Sequence, residues 1–554
     1  MKFLRLLAAS VVFVVVTGTT WPCCAENSAA TTVRSRSQQA ADTIVTIGPL
    51  DSWQPGDELL LQGMGAVWQA TASPSYYEFI KQSVDRVLSG GATLIDPSMG
   101  EPLLLLYGAT GVAKYYKAAT ALWQRDISET YTGISFYAEY AKTFQQPERF
   151  TIIAQQISGR SRRPQDAGGQ AMELVDTLSY FPSDNPQRDR LAATFKQLAA
   201  TIKQQQDPTS GLWRARREAK GGNPGELDLL TSCLFVYALE KGVRLAYLPM
   251  SYQQVGRRGY AGILRRFART AADGSTVVSA AGGDGETSDH APMGAYLLAS
   301  TEDEMADTAL LGHGKTVLLD AWFNSQKKQN AAGQTVYFHY KWEDLADSGF
   351  SFFGNAFLSY GVKTDTLYTA PAMASLSKAQ IYVIASPDIP IKNPHPNYMS
   401  AQDADEIARW VGRGGLLVMM ENDGKNAEFE HFNQLSERFG IHFNPVVNNK
   451  VPGQDFEPGR LLVPADAAMF LHAHKIFMKE ICSITASAPA RSTLTWESNT
   501  VMAVANYGKG TVLAVVDPWL YNEYTDGRKL PASFDNLAAG KEVIRWLIQQ
   551  VPAR

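Results

Sequence analysis

Residues 124–140, QRDISETYTGISFYAEY, set Asp126 and Glu129 beside an aromatic run of Tyr131, Phe136, Tyr137 and Tyr140. Flat rings suit the faces of a sugar, and a nearby carboxyl suits proton transfer. Ser128 lies between the two acids, and its hydroxyl donates no proton at neutral pH without an activating base. Glu129 is one residue further on, about 100° around a helix. Asp96, in LIDPSMGEPLLLLY, precedes an apolar run and reads as a helix cap. Arg160, Arg162 and Arg163 form a basic cluster that suits either an anionic sugar or a solvated loop. Trp213 and His290 sit at loop positions that either face a pocket or pack. Further along, Asn422, Asp423, Asn426, Glu428 and His431 follow an apolar run and open a helical one, the crossing where open α/β sheets bind ligands. Asp517, Trp519, Asn522 and Glu523 form a second polar–aromatic group. His313, His339 and His395 lack metal-ligand spacing, so neither a metal nor another cofactor is expected.

Two kinds of element must carry these groups. From about residue 52 to 300 the apolar spacing is helical. DELLLQGMGAVWQA and SPSYYEFIKQSVDRVL open a series of ten or so helices, the second with Ser73 as cap and Pro74 at its first position. Near 302 the pattern changes to apolar runs alternating with helices: GKTVLLDAWFN, AQIYVIASPD, LLVMMEND and GTVLAVVDPWL read as buried strands. That alternation predicts a parallel, doubly wound α/β domain.

The chain has 554 residues and a formal net charge of −4, which disfavours nucleic acid or an anionic membrane as partner. Lys2, Arg5 and the apolar run that follows predict a signal peptide over 1–25, hence export to the periplasm or beyond, with no membrane span after its removal. Residues 26–44 are polar and unpatterned, and read as a linker. Beyond the leader only Cys233 and Cys482 remain, in different predicted domains, so two buried free thiols are expected.

DPTSGLWRAR (207–216) followed by SCLFVYALEKGVRLAYLP (232–249), with FYAEYAKTF, ELVDTLSYFPSDNP and APMGAYLLASTEDE in the same order, resembles the unsaturated rhamnogalacturonyl and glucuronyl hydrolases of glycoside hydrolase families 105 and 88. Residues 408–444 and 508–524 resemble an amidotransferase-like α/β domain that follows this barrel in some bacterial members. The resemblance implies an (α/α)6-barrel-like toroid over 45–302, trimmed to judge by its length, and a flavodoxin- or amidotransferase-like domain over 303–554. It implies an exported hydrolase that removes unsaturated uronic acid from lyase-generated oligosaccharides, with the glycan as partner. In such enzymes an aspartate protonates the 4,5-double bond and activates water.

The family pattern places that aspartate at Ser128, which leaves Glu129, with Asp96 as a second carboxylate, as the catalytic candidates. Tyr131, Arg163, Trp213, Asp228 and His290 are the positions expected at the substrate; Asp228 also reads as helix-terminal. The family's His-Gly-Trp-Asp segment is absent, its Trp-Gly-Arg aligns with residues 163–165, and its substrate tryptophan aligns with Gly169. An alternative expectation is therefore a degenerate relative that binds sugar or serves as a scaffold. No cysteine stands at a strand end of the second domain, which argues against glutaminase chemistry.

Overall fold

The computed structural model describes residues 34–90, 96–127, 133–160, 167–215, 225–270, 276–279, 289–465 and 469–551. Residues 36–554 form one compact unit. Its first part holds twelve helices among the described residues: α1 (Arg36–Ile47), α2 (Asp57–Thr71), α3 (Pro74–Ser89), α4 (Gly100–Thr110), α5 (Ala113–Trp123), α6 (Ile134–Thr143), α7 (Arg149–Arg160), α8 (Ala167–Tyr180), α9 (Pro186–Gln205), α10 (Leu229–Arg244), α11 (Gln253–Arg266) and α12 (His290–Met305). The even-numbered helices pack side by side, and α12 returns against α2 to close a ring. Each odd-numbered helix backs one of them, with α1 behind α12. The ring thus has all six helical pairs among the described residues, so no helix of the set is missing.

The stretch read as a linker, 26–44, holds most of α1. Its composition is polar, but Ala40, Ala41 and Ile44 recur on one face and are buried against the ring. So narrow an apolar stripe is easily hidden by its polar neighbours.

Ring closure depends on backbone contact. A Cβ on Gly294 of α12 would stand 2.2 Å from the carbonyl carbon of Leu59 in α2, and one on Gly63 would stand 2.7 Å from the carbonyl oxygen of Gly294. The inner helices run in one direction: the first turns of α2 and α12 meet, as do those of α4 and α6 and those of α8 and α10.

A short hairpin, β1 (Ala268–Thr270) with β2 (Thr276–Val278), precedes α12. Beyond the ring come α13 (Ala309–Gly312), β3 (Thr316–Asp320), the hairpin β4 (Lys327–Gln329) and β5 (Thr335–Tyr337), α14 (Ser351–Ser359), β6 (Lys363–Leu367), α15 (Met373–Leu376), β7 (Ile381–Ala385), α16 (Ala401–Gly412), β8 (Leu416–Met420), α17 (Glu430–Ser436) and β9 (Ile441–Asn448). The hairpin β10 (Arg460–Val463) and β11 (His474–Phe477) follows, then β12 (Ile481–Ala486), β13 (Ala490–Trp496), β14 (Asn499–Tyr507), β15 (Gly510–Val515), α18 (Asn522–Thr525) and α19 (Asn536–Gln550).

The main sheet runs β6-β3-β7-β8-β15-β14-β12-β9, with β13 paired to β14. The first five strands are parallel, as expected from their apolar runs. The rest is antiparallel, so the sheet is mixed rather than wholly parallel. Strands such as β9 and β13 are buried on one side only, and their sequences lack the continuous apolar run of β7 or β8.

The α/β part sits against the carboxyl ends of the inner helices. The Trp68 indole donates to the Asp526 carbonyl at 2.8 Å, and Lys541 donates to the Ala70 carbonyl at 2.6 Å. Arg528 reaches the Ala109 carbonyl, and Gln334 donates to the Phe144 carbonyl at 2.6 Å. The amino ends of the same helices form the opposite mouth of the ring. Cys233 and Cys482 are buried and free, one in the ring and one in the sheet.

Candidate functional site

The amino mouth brings together Asp96 and His290, both singled out from the sequence, with two acids that were not, Asp57 and Glu58. Asp57, fully buried in the first turn of α2, accepts the Gln54 N–H at 2.7 Å and pairs with Nδ1 of His290 at the start of α12. The Asp57 hydrogen bond is the chief cause holding the His290 pKa above its usual value. Glu58, the next residue, accepts the Gly56 N–H at 2.9 Å. Burial, with the negative charges of Asp96 and Asp57 nearby, raises its carboxyl to about 7. A group poised there gives and takes protons near neutrality.

Asp96 faces this cluster from the turn before α4. Its Oδ1 accepts both the backbone N–H of Ser98, at 3.0 Å, and the Ser98 hydroxyl, at 2.7 Å. Asp96 is thus a cap that also acts electrostatically on Glu58. Glu173 of α8 takes the N–H groups of Gly133 and Ser135 at 2.6 and 2.9 Å, so this buried carboxylate closes the start of α6. Ser128, Glu129, Tyr131 and Arg163 lie outside the described residues; the first three directly precede Gly133 in sequence.

Two expected substrate positions are corrected by their surroundings. Trp213 is 1 % exposed, donates its indole N–H to the Ile202 carbonyl at 2.8 Å and packs edge-on against Phe235. It belongs to the ring core and offers no face to a ligand. Asp228 caps α10 by accepting the Thr231 N–H at 2.7 Å. His290 does reach the mouth, but its Nδ1 is committed to Asp57.

Along the ring axis the structure assembles groups that the sequence reading did not single out as a site. Glu101 of α4, Glu139 of α6, Asp176 of α8 and Lys241 of α10 line a cavity of about 190 Å³. Asp176 accepts from the Tyr237 hydroxyl at 2.8 Å and from Lys241 at 2.7 Å. Gln62 donates to Glu101 at 2.6 Å, while the other Glu101 oxygen is buried without a hydrogen-bond partner. Burial, then repulsion from Glu139 and Asp176, pushes Glu101 well above the usual carboxylate range. Burial likewise raises Glu139 to about 8. Glu101 and Glu139 are thus held largely protonated at pH 7, which is how the axis tolerates them side by side, while Asp176 is paired with Lys241. The available sequence signal was polar residues at i, i+4 on otherwise buried helices, as in Asp176–Tyr180 and Tyr237–Lys241.

Among the described residues no group of three or more His, Cys, Asp or Glu side chains is placed to hold a metal ion.

Residues 167–309 match the family model described as Glycosyl Hydrolase Family 88. Among solved structures, the chain is similar to a family 105 glycoside hydrolase from C. acetobutylicum ATCC 824, at 22% identity over 49% of this chain and 99% of that one, with a TM-score of 0.42. It is also similar to a possible family 105 member from Salmonella enterica (17% identity, 48% and 92% covered, TM-score 0.40) and to a family 88 glycosyl hydrolase from Bacteroides vulgatus (13%, 48% and 96%, TM-score 0.40).

Proposed function

From a helical ring that carries a Glycosyl Hydrolase Family 88 segment, we propose a glycan-processing protein that works at the amino mouth, with Glu58 as the carboxyl that carries the proton. The observation behind this reading is a part-buried acid raised to about 7, flanked by Asp57 and Asp96, on the first turn of an inner helix. The substrate class is an oligosaccharide ending in an unsaturated uronic acid, as released by a polysaccharide lyase. Protonating the terminal double bond needs one acid that is still charged with its proton near neutrality, and Glu58 meets that need. Export through the leader over residues 1–25 belongs to the same reading and places the protein where such fragments arise.

A second reading, a sugar-binding relative without turnover, is supported by Ser128 at the position of the family's aspartate. One assay separates the two. The mature chain is incubated with lyase-generated unsaturated disaccharides, and loss of the double bond's ultraviolet absorbance is followed. Turnover that disappears in Glu58→Gln supports Glu58. Turnover lost in Glu129→Gln but kept in Glu58→Gln moves the acid to Glu129. Binding without turnover in the unmodified chain supports the second reading.

A further inference from the structure

A cavity of about 1290 Å³ lies at the other end of the ring. One wall is the carboxyl ends of α4, α6 and α8; the other is the set of loops that leave the carboxyl edge of β3, β8 and β15. In an open α/β sheet that edge is where ligands sit.

Three features mark it as built for a ligand rather than left over between two bodies. First, His339 and Tyr340 are consecutive non-glycine residues with positive φ, 64° and 55°. Such strain persists only where the surroundings enforce it, and it clusters at binding sites. Second, the His339 tautomer is fixed. Gln326 donates to Asp388 at 2.7 Å, so its oxygen faces Nδ1 of His339 at 3.1 Å and accepts that proton. This leaves Nε2 as an acceptor, and burial and nearby lysines hold the ring neutral, with its pKa near 3. Third, Asp517 lines the cavity and is 2 % exposed, yet its Oδ2 has no hydrogen-bond partner. Burial raises this carboxyl well above its usual range, so it presents an O–H where a carboxylate would be expected. A buried orphan of this kind calls for a partner that the protein does not supply.

The chemistry of the walls selects the ligand. At the rim Tyr337 and Tyr368 stand 4.9 Å apart, with Tyr368 46 % exposed, which gives a ring face for stacking. Burial raises the Glu139 and Asp517 carboxyls, the remaining carboxylates and the lysines around the cavity nearly balance, and the Lys341 ammonium is already saturated by Asn324 and the His339 carbonyl. Such a wall favours an uncharged ligand over an ion of either sign. We propose that this cleft is a second saccharide site, for neutral sugar units, whose hydroxyls pair with Asp517 and His339 while one ring stacks on Tyr368. It lies at the opposite end of the ring from the amino mouth and takes an uncharged rather than an acidic sugar.

The test is titration calorimetry of the full mature chain with cellotetraose, xylotetraose and galactotetraose, and with trigalacturonate as the acidic arm. The expected result is that at least one neutral tetramer binds, that Tyr368→Ala weakens it about tenfold, and that isosteric Asp517→Asn also weakens it. Tyr368 is exposed, so its variant keeps the fold, as circular dichroism will confirm. Glu58→Gln at the far mouth leaves this binding unchanged, which separates failure here from failure of the proposed turnover. Absence of binding by all three neutral tetramers at millimolar concentration overturns the proposal. So does unchanged affinity in Tyr368→Ala, or displacement of the neutral sugar by trigalacturonate.

Discussion

The indole nitrogen of Trp68, in the last turn of inner helix α2, donates to the backbone carbonyl of Asp526 at 2.8 Å, 458 residues away in sequence. Trp68 is fully buried and also packs against Phe352 of α14, so ring and sheet share core at this point. Trp68→Phe removes the donor and leaves a buried carbonyl unpaired, which costs roughly 1–3 kcal/mol. Urea unfolding will show a lower midpoint. It will also show one transition for both parts in the unmodified protein, because the interface is continuous with both cores.

If Glu58 is the proton carrier, the rate must follow its protonated form. The carboxyl is raised to about 7, so turnover of unsaturated disaccharide is full on the acid side and falls as pH rises through 7. Glu58→Gln abolishes the rate at every pH. A pH–rate profile on the alkaline side reads this directly.

The axial acid Glu139 predicts a pH-dependent stability of definite sign. Its folded pKa, about 8, lies above the ordinary value of 4.5. The unfolded chain releases this proton first as pH rises, so the group's stabilisation is complete below about 4.5 and is lost up to about 8. Glu139→Gln keeps the shape without the titration. Its thermal midpoint will exceed that of the unmodified protein at pH 8, and the gap will close at pH 5.

The pair at ring closure adds a change of the same sign by different means. Hydrogen bonding to Asp57 raises the His290 pKa above the ordinary 6.5, so the pair stabilises below that value and loses its contribution as pH rises through the folded pKa. His290→Gln flattens that part of the melting-temperature curve.

Gly294→Ala tests the closure itself. The new methyl would overlap the Leu59 carbonyl, whose carbon is 2.2 Å away, and backbone cannot rotate aside as a side chain can. A loss of about 1–3 kcal/mol or more is expected by chemical denaturation. Alanine at Gly159, where nothing lies within 4 Å, will be neutral or slightly stabilising.

Most helices of the ring were legible because they bury a wide stripe, as where Leu60, Met64, Val67 and Trp68 of α2 recur at helical spacing; α1, with its narrow one, was not. The parallel strands were legible because β7 and β8 are buried on both faces and read as unbroken apolar runs. The antiparallel half was not, since β13 buries only Leu494 and is interrupted by register shifts, so it shows neither an apolar run nor a regular alternation. Sites fared worse for a topological reason. Gln62 meets Glu101 and Asp176 meets Lys241 only because the ring closes, and no local spacing records that. Trp213 misled for the converse reason: an aromatic residue after a turn looks available, but its N–H is spent on the Ile202 carbonyl.

Lys541, Arg528 and Gln334 of the α/β part each donate to a carbonyl at the carboxyl end of an inner helix, at Ala70, Ala109 and Phe144. A helix leaves its last carbonyls without partners of its own. The second fold therefore acts as a shared cap for the first, and a ring expressed without it would present those acceptors bare.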